Sequence, residues 1–314
     1  MKVKLVFLDI KTIGEVHNLS SLDGLGDITY YQSTSPGKTL ERVRDADIVI
    51  TNKVVLNRTI IEKAVNLKLI CVAATGTNNI DKVAAKERNI QVKNAVDYSS
   101  NSVAQGTFSL LLHILSDISY YDNYVKQGLY SKSDIFTHFG SVFWELNGKR
   151  FGVLGLGNIG SRVAKIAEAF GCEVTYYSAS GRNNSQPYLR LDLKEFLNTS
   201  DIISIHAPLN EYTKNLINYE RILEMKKTAI LINAGRGGIV NEIDLARALD
   251  NNLIAGAGID VFENEPIDSI NPLLLIENKS KIVLTPHITW ASIEARTLLI
   301  EKIKQNIEEF LAKK

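Results

Sequence analysis

Three side chains able to carry acid–base and anion-binding chemistry follow successive apolar runs in the second half of the sequence. Arg236, Glu265 and His287 each come shortly after such a run. An arginine can hold a carboxylate with two parallel hydrogen bonds and polarise an adjacent carbonyl. A histidine beside a carboxylate can pass a proton, because the negative neighbour favours the imidazolium and orients the ring. These residue types suit the reduction of a 2-oxo acid, which needs both functions.

Each of the three residues also has a purely structural explanation. Arg236 could form a surface salt bridge, Glu265 could begin a helix, and His287 could be a satisfied histidine at a strand end. Their order along the chain, behind a glycine-rich loop, favours the catalytic interpretation. Parallel sheets place their chemistry at the carboxyl ends of the strands, which is where all three residues would lie.

The glycine-rich loop has the GxGxxG spacing of a dinucleotide-binding turn between a strand and a helix. Gly155 permits the tight turn, Gly157 lets a pyrophosphate approach the backbone, and Gly160 allows close packing of the helix on the strand. The helix would begin at Asn158 and Ile159, whose free N–H groups attract phosphate. The alternative is a glycine turn with no ligand. The complete strand–turn–helix context favours cofactor binding.

The next strand lacks the terminal carboxylate that binds the ribose 2′-hydroxyl of NAD. Its only acid, Glu173, lies at the wrong end, and the carboxyl end carries Ser178, Ser180 and Arg182 instead. Two hydroxyls and a guanidinium are suited to a 2′-phosphate. We therefore expect NADP or dual use rather than strict NAD use, although a polar surface turn without preference is the alternative.

Short runs rich in β-branched residues alternate with helical patterns, which predicts βαβ units and parallel sheets. The strands expected in the first part are Val3–Leu8, Ile28–Tyr31, Asp47–Thr51 and Leu69–Ala73. Those expected in the second part are Phe151–Leu154, Glu173–Tyr177, Ile202–Ile205, Ala229–Ile232, Gly256–Ile259 and Ile282–Leu284. So many strands exceed a usual single sheet, so the fold class predicted is α/β with two doubly wound parallel-sheet domains. Asn57 and Asp81 are expected to cap helices.

The bulk composition excludes several functional classes. The 314 residues carry 36 basic and 35 acidic side chains, so no electrostatic argument favours nucleic acid or an anionic membrane as partner. The two cysteines, Cys71 and Cys172, lie in apolar stretches and predict buried free thiols in a reducing, cytoplasmic compartment. The apolar run near the start is too short for a signal peptide or membrane span. His17, His113 and His138 lack any carboxylate or cysteine at ligand spacing, so no metal site is expected.

Over essentially its whole length the sequence resembles the D-isomer-specific 2-hydroxyacid dehydrogenases. The matching segments are Gly155–Gly160, Ile205–Leu209, Asn233–Gly238, Asp260–Pro266 and Thr285–Ile288. The resemblance implies that Arg236 binds the substrate, that Glu265 pairs with the acid–base residue His287, and that Asp260 contacts the nicotinamide amide. It further implies cofactor contacts from Ala207, Pro208, Thr213, Asn233, Ala234 and His287.

The same resemblance implies a domain arrangement. A flavodoxin-like substrate-binding domain would comprise residues 1–100 together with 289–314, and a Rossmann NAD(P)-binding domain would comprise residues 101–288. Hinges would fall near Ser99–Val103 and Ile288–Ser292, with the active site in the cleft. The tyrosine-rich stretch from Tyr120 to Trp144 corresponds to a region that helps to form a homodimer in the family.

Four residues are candidates for substrate recognition. Thr75 and Gly76 lie on a loop whose N–H groups bind a carboxylate in the family, Lys53 ends a neighbouring strand, and Trp290 would narrow the pocket beside His287. A glycine turn and a solvated lysine are the structural alternatives. The sequence around these residues resembles that of the glycerate dehydrogenase (hydroxypyruvate reductase) subgroup, which favours hydroxypyruvate or glyoxylate as the substrate. A D-lactate-type enzyme and an NAD(H)-dependent corepressor-like binding protein remain open.

Overall fold

The computed structural model describes residues 2–182 and 187–313 and consists of two compact units. One unit contains the chain up to Ser99 and again from Ala291, and the other contains Ser100–Trp290. The assignment of substrate to the first unit and cofactor to the second stays a prediction. None of the described helices is long and apolar enough to cross a membrane.

The described residues form twelve strands and eleven α-helices. The strands are β1 Lys4–Phe7, β2 Asp27–Tyr30, β3 Ile48–Thr51, β4 Leu69–Val72, β5 Gln91–Asn94, β6 Arg150–Leu154, β7 Glu173–Tyr177, β8 Leu189–Arg190, β9 Ile202–Ile205, β10 Ile230–Asn233, β11 Gly256–Ile259 and β12 Ile282–Leu284. The helices are α1 Pro36–Val43, α2 Arg58–Lys63, α3 Lys82–Glu87, α4 Ser100–Ser116, α5 Ile118–Lys126, α6 Asn158–Ala169, α7 Leu193–Thr199, α8 Tyr219–Leu223, α9 Glu242–Asp250, α10 Pro272–Leu275 and α11 Ile293–Leu311.

Each unit is built on one parallel sheet. The first sheet has the order β2-β1-β3-β4-β5 and the second has the order β12-β11-β10-β9-β6-β7-β8. Central strands such as β3, β9 and β10 are buried along their whole length, as expected for a parallel sheet covered on both faces. The predicted α/β class with two doubly wound sheets is confirmed.

Every predicted strand is present, with bounds that differ by at most one residue. Strands β5 and β8 were not predicted from the sequence. The strand β5 lies at a sheet edge and has the largely polar sequence Gln-Val-Lys-Asn, and β8 has only two residues. Edge strands need no continuous apolar run, because part of their surface faces solvent.

The helix caps confirm two local predictions. The side chain of Asn57 accepts a hydrogen bond from the N–H of Ile60 at the start of α2, and Asp81 accepts one from Ala84 at the start of α3. Such caps satisfy backbone donors that the first helical turn leaves without a partner.

The C-terminal helix α11 packs within the first unit. Ser292 caps its start, and its buried face includes Ile303, Ile307 and Phe310. Near its end, Lys93 of β5 forms an ion pair with Glu309 at 2.7 Å. A unit that begins the chain is therefore completed by the last helix of the chain.

Candidate active site

The predicted site residues of the second unit all follow the carboxyl ends of its parallel strands. Gly155–Gly160 follow β6, and the residues after β7 to β12 are Ser178, Ser180, Arg182, Ala207, Pro208, Thr213, Ala234, Arg236, Asp260, Glu265, His287 and Trp290, with Asn233 ending β10 itself. In a parallel sheet these ends meet along one edge. The functional groups therefore form a row along that edge in the sheet order β12-β11-β10-β9-β6-β7-β8.

His287 and Glu265 are in direct contact at this edge. The Oε2 atom of Glu265 lies 2.8 Å from Nδ1 of His287, and Oε1 of Glu265 accepts a hydrogen bond from the N–H of Phe262 at 3.1 Å. The histidine and glutamate side chains are 24% and 32% exposed, so both can be reached from solvent. With Nδ1 held by the carboxylate, the Nε2 atom of His287 faces away from Glu265 and is suited to proton transfer.

Asp260 holds the turn that carries His287. Its carboxylate is completely buried and accepts hydrogen bonds from the hydroxyl groups of Thr285 and Thr289, both at 2.6 Å. It also accepts from the backbone N–H groups of Ile288 at 2.9 Å and Thr289 at 3.1 Å. His287 itself has a φ of 53° in the left-handed region, a conformation that needs such support. The contact of Asp260 with nicotinamide stays a prediction; its observed contacts position the turn.

Asn233 shapes the turn that carries Arg236. Its side-chain oxygen accepts a hydrogen bond from the N–H of Gly235 at 3.1 Å, and its side-chain amide donates to the carbonyl of Arg236 at 3.0 Å. The guanidinium of Arg236 donates to the carbonyl of Gly235 at 2.8 Å and is partly buried. The guanidinium has five N–H donors, so this contact leaves others for a carboxylate.

The glycine loop fits a dinucleotide pyrophosphate. Gly155 has a φ of +93°, and a Cβ atom there would lie 2.8 Å from the backbone nitrogen of Ala207. A Cβ atom on Gly157 would meet nothing within 4 Å. Gly157 also caps α6 without a side-chain hydrogen bond, so the first-turn N–H groups are presented to open space, as phosphate binding requires.

The three residues after β7 differ in exposure. Ser178 is buried, whereas Arg182 is exposed, and the N–H of Arg182 donates to the hydroxyl of Ser180 at 3.4 Å. Arg190 of β8 was not predicted from the sequence, and its guanidinium nitrogen would lie 3.7 Å from a Cβ atom on Gly181. A second cationic group therefore stands beside the loop. Arg190 is brought beside this loop by the pairing of β8 with β7.

Thr213 holds its own loop. It is buried, its hydroxyl donates to the carbonyl of Pro208 at 2.6 Å, and it accepts from the N–H of Asn210 at 2.9 Å. These contacts fix the segment after β9, whose Ala207 lies against the glycine loop. A direct cofactor contact from Thr213, Ala207 or Pro208 stays a prediction.

The first unit carries the remaining candidates at the carboxyl ends of its own strands, Lys53 after β3 and Thr75 with Gly76 after β4. Asp9 was not predicted as a site residue from the sequence. This buried carboxylate accepts hydrogen bonds from the backbone N–H groups of Asn52 at 2.9 Å and Lys53 at 2.6 Å. An acidic residue directly after the apolar first strand was the available signal.

Comparisons with known proteins agree with this geometry. Residues 108–289 match the family described as D-isomer specific 2-hydroxyacid dehydrogenase, NAD binding domain. The chain is 36% identical to a glycerate dehydrogenase of Methylorubrum extorquens over 100% of this chain and 98% of the relative. It is 38% identical to a hydroxypyruvate reductase of Blautia hydrogenotrophica over 92% of this chain and 91% of the relative.

Among solved structures, an acyclic imino acid reductase in complex with NADPH and D-Arg is 31% identical, with a TM-score of 0.89. The match covers 99% of this chain and 98% of that chain. These matches agree with the glycine loop after β6, the contact between His287 and Glu265 and the order of the strands in each sheet. The chain therefore belongs to the D-isomer specific 2-hydroxyacid dehydrogenase family.

Proposed function

We propose that this protein reduces hydroxypyruvate or glyoxylate to the corresponding D-2-hydroxy acid with a nicotinamide cofactor. The observation that carries the proposal is the contact of 2.8 Å between His287 and Glu265, beside the strand end that carries Arg236. The names of the relatives, glycerate dehydrogenase and hydroxypyruvate reductase, support this choice of acid. The alternative, a D-lactate-type substrate, is distinguished by the assay below.

The roles of the residues follow from their chemistry. A reduced nicotinamide bound at the glycine loop would supply the hydride for the carbonyl carbon. Arg236 binds the substrate carboxylate and polarises the neighbouring carbonyl. His287 donates a proton from Nε2 to the developing alkoxide, while Glu265 orients the ring and stabilises the imidazolium. Asp260 and Asn233 hold the two turns on which these groups lie.

The substrate contacts of the first unit belong to the same proposal. The N–H groups of Thr75 and Gly76 would bind the acid's carboxylate, Lys53 would interact with its distal end, and Trp290 would limit its size. Support comes from the position of these residues in the segments that follow strands β3, β4 and β12. Replacing Trp290 by alanine should broaden the range of accepted side chains, measured as kcat/KM over 2-oxo acids of increasing length.

One assay tests the function. Purified protein is mixed with NADPH or NADH and a panel of hydroxypyruvate, glyoxylate and pyruvate, and the absorbance of the reduced cofactor is followed. We expect turnover with the first two acids, and we expect Arg236→Lys to raise KM and lower kcat because the two-point grip is lost. Preference for pyruvate would move the assignment to the lactate type. Tight cofactor binding without turnover of any acid would favour a corepressor-like binding protein.

We further propose that NADP serves as cofactor, alone or beside NAD. The absence of an acid at the end of β7, together with Arg182 and the nearby Arg190, supports this proposal. The solved relative that binds NADPH is consistent with it.

We also propose a homodimer formed through the segment of residues 118–143, here called the aromatic arm. Phe136, Phe139 and Val142 are 90%, 87% and 96% exposed, which is unusual for large apolar side chains on a monomer. The arm nevertheless has a defined shape, because the rings of Tyr124 and His138 stack with their centroids 3.8 Å apart. A shaped apolar surface of this kind is expected to be covered by a second copy.

A cytoplasmic location is the remaining proposal. Cys71 and Cys172 are both free and buried, as expected of a chain in a reducing compartment. Fractionation of cells that express the protein, with the activity recovered in a membrane or secreted fraction, would contradict it.

A further inference from the structure

His206 lies at the end of β9 and has no role in the chemistry described above. Its Nε2 atom shares a hydrogen bond of 2.7 Å with the hydroxyl of Ser204, which is buried within the strand. Its Nδ1 atom is buried and has no hydrogen-bond partner among the described residues. The residue as a whole retains partial exposure and follows the carboxyl end of β9, at the functional edge of the sheet.

Burial keeps this imidazole neutral. It lowers the pKa of His206 to about 3, so at physiological pH one ring nitrogen is a donor and the other is an acceptor. Whichever tautomer is present, the Nδ1 atom is a polar group buried without a partner. Such atoms are rare in folded proteins, because they have lost water without gaining a hydrogen bond. Where one persists, a functional explanation is warranted.

The position of His206 identifies the missing partner. The chain runs from β6 to β7 on one side of the sheet and from β9 to β10 on the other, so the strand order reverses between β6 and β9. Dinucleotides bind across such a reversal point. His206 stands there: its N–H donates to the carbonyl of Leu154 at the end of β6, at 2.8 Å.

Two glycines press against the backbone on either side of His206. A Cβ atom on Gly155 would lie 2.8 Å from the nitrogen of Ala207, and one on Gly235 would lie 3.0 Å from the carbonyl oxygen of Ile205. The segment that carries His206 therefore joins the glycine loop to the turn before Arg236. The adenosine ribose belongs to the β7 side of the reversal point, so the β9 and β10 side receives the nicotinamide.

We propose that His206 positions the nicotinamide nucleoside of the bound dinucleotide, with its Nδ1 atom forming a hydrogen bond to a polar group of that nucleoside. Ser204 fixes the ring from the other side through Nε2. The inference rests on the cofactor use of the proposed function, and it does not depend on which acid is reduced. It assigns His206 a positioning role, because the proton that is transferred belongs to His287.

Two isosteric substitutions separate the ring nitrogens. In His206→Asn the side-chain amide lies near the position of Nδ1, whereas in His206→Gln it lies near Nε2. Dissociation constants for NADH and for ADP, which lacks the nicotinamide nucleoside, are measured by titration calorimetry without any oxo acid. We expect His206→Gln to weaken NADH about tenfold and His206→Asn to remain close to wild type. Binding of ADP should be unchanged in both variants.

Ser204→Ala is the matched control, because it removes the bond at Nε2 and leaves Nδ1 in place. We expect it to weaken NADH less than His206→Gln does. The reverse pattern, with His206→Gln like wild type and both His206→Asn and Ser204→Ala impaired, would overturn the proposal and make the Ser204 bond the important one. Equal loss of ADP and NADH binding would also overturn it. Failure of the wild-type protein to bind NADH or NADPH would instead remove the proposed function itself.

Discussion

Two buried aspartates hold the turns that carry the candidate chemical groups. Asp9 accepts backbone hydrogen bonds from Asn52 and Lys53, and Asp260 accepts them from Ile288 and Thr289 beside His287. A buried carboxylate is stable only when several donors compensate its lost hydration. The same donors then fix the backbone on which a functional side chain stands. The hydrogen bonds that allow each carboxylate to be buried therefore also fix the conformation of a turn.

Residue types at strand ends were predictable from the sequence, and their partners were not. Arg236, Glu265 and His287 stood out because each followed an apolar run. Asp9 and His206 also follow apolar runs, but their significance lies in contacts with residues that only the fold brings near them. A single sequence contains the chemistry of a side chain but not the identity of the groups that surround it.

Glu265→Gln tests the coupling of the acid–base pair. The amide retains an acceptor for His287 but loses the negative charge, so the protonated imidazole is less favoured and the pH profile of reduction should move to lower pH. At pH 8 we expect kcat/KM to fall on the order of tenfold. The measurement is the initial rate between pH 5 and 9. Glu263→Gln, an exposed neighbour on the same turn, is the control, and identical profiles for both variants would contradict the coupling.

Arg182→Ala tests the choice of cofactor. If the guanidinium binds a 2′-phosphate, its loss should raise the KM for NADPH by about ten- to a hundredfold, the range of a charge-assisted hydrogen bond. The KM for NADH should change little, which provides the internal control. Arg190→Ala, measured in parallel, tests whether the arginine of β8 also binds the 2′-phosphate. A wild-type preference for NADH that neither variant alters would exclude a phosphate site at this loop.

The strand–turn–helix element from β6 to α6 depends on two glycines for different reasons. At Gly155 the backbone conformation and the contact with Ala207 exclude a side chain, whereas Gly157 faces open space. The first requirement belongs to the fold, and the second belongs to the ligand. The GxGxxG spacing predicts this division of roles between Gly155 and Gly157.

Alanine at Gly155 should therefore mainly reduce stability, whereas alanine at Gly157 should mainly weaken cofactor binding. Gly155→Ala is expected to reduce the free energy of unfolding by about 2 kcal/mol, through the positive φ and the overlap with Ala207. Gly157→Ala should leave stability within about 0.5 kcal/mol and weaken cofactor binding about tenfold, because the new methyl group occupies the space of the pyrophosphate. Urea denaturation and calorimetric titration measure the two effects. A stable Gly157→Ala protein with undiminished affinity would place the pyrophosphate elsewhere.

At the scale of the element, buried strands were easier to predict than edge strands. The runs that became β3, β4, β9 and β10 are continuously apolar because both faces of the sheet are covered. The strand β5 has partial burial and a polar sequence, so no hydrophobic pattern marks it. Its strand conformation is imposed by pairing with β4, which is a tertiary effect.

For the whole molecule, the aromatic arm predicts the state of assembly. In the variant that combines Phe136→Asp with Phe139→Asp, two charges would be buried if the arm is covered by a second copy. We expect the protein to change from dimer to monomer in size-exclusion chromatography with light scattering. Ile243→Asp is the control, because Ile243 is 68% exposed and lies outside the arm. A wild-type protein that is monomeric at micromolar concentration would refute the dimer.

The position of α11 in the sequence determines the order in which the two units can be completed during synthesis. The unit Ser100–Trp290 is contiguous and is synthesised before α11, whereas the first unit lacks α11 until Ile293–Leu311 have been made. The face of β4 and β5 that α11 covers must therefore stay uncovered while nearly two hundred residues are added. Ribosome-bound chains in which a flexible linker replaces α11 and carries Trp290 clear of the exit tunnel should contain a protease-resistant second unit and a protease-sensitive first one. Equal resistance of both units would show that the first unit folds without its final helix. The nascent chain is thus exposed to proteases and chaperones mainly through its earliest-made part.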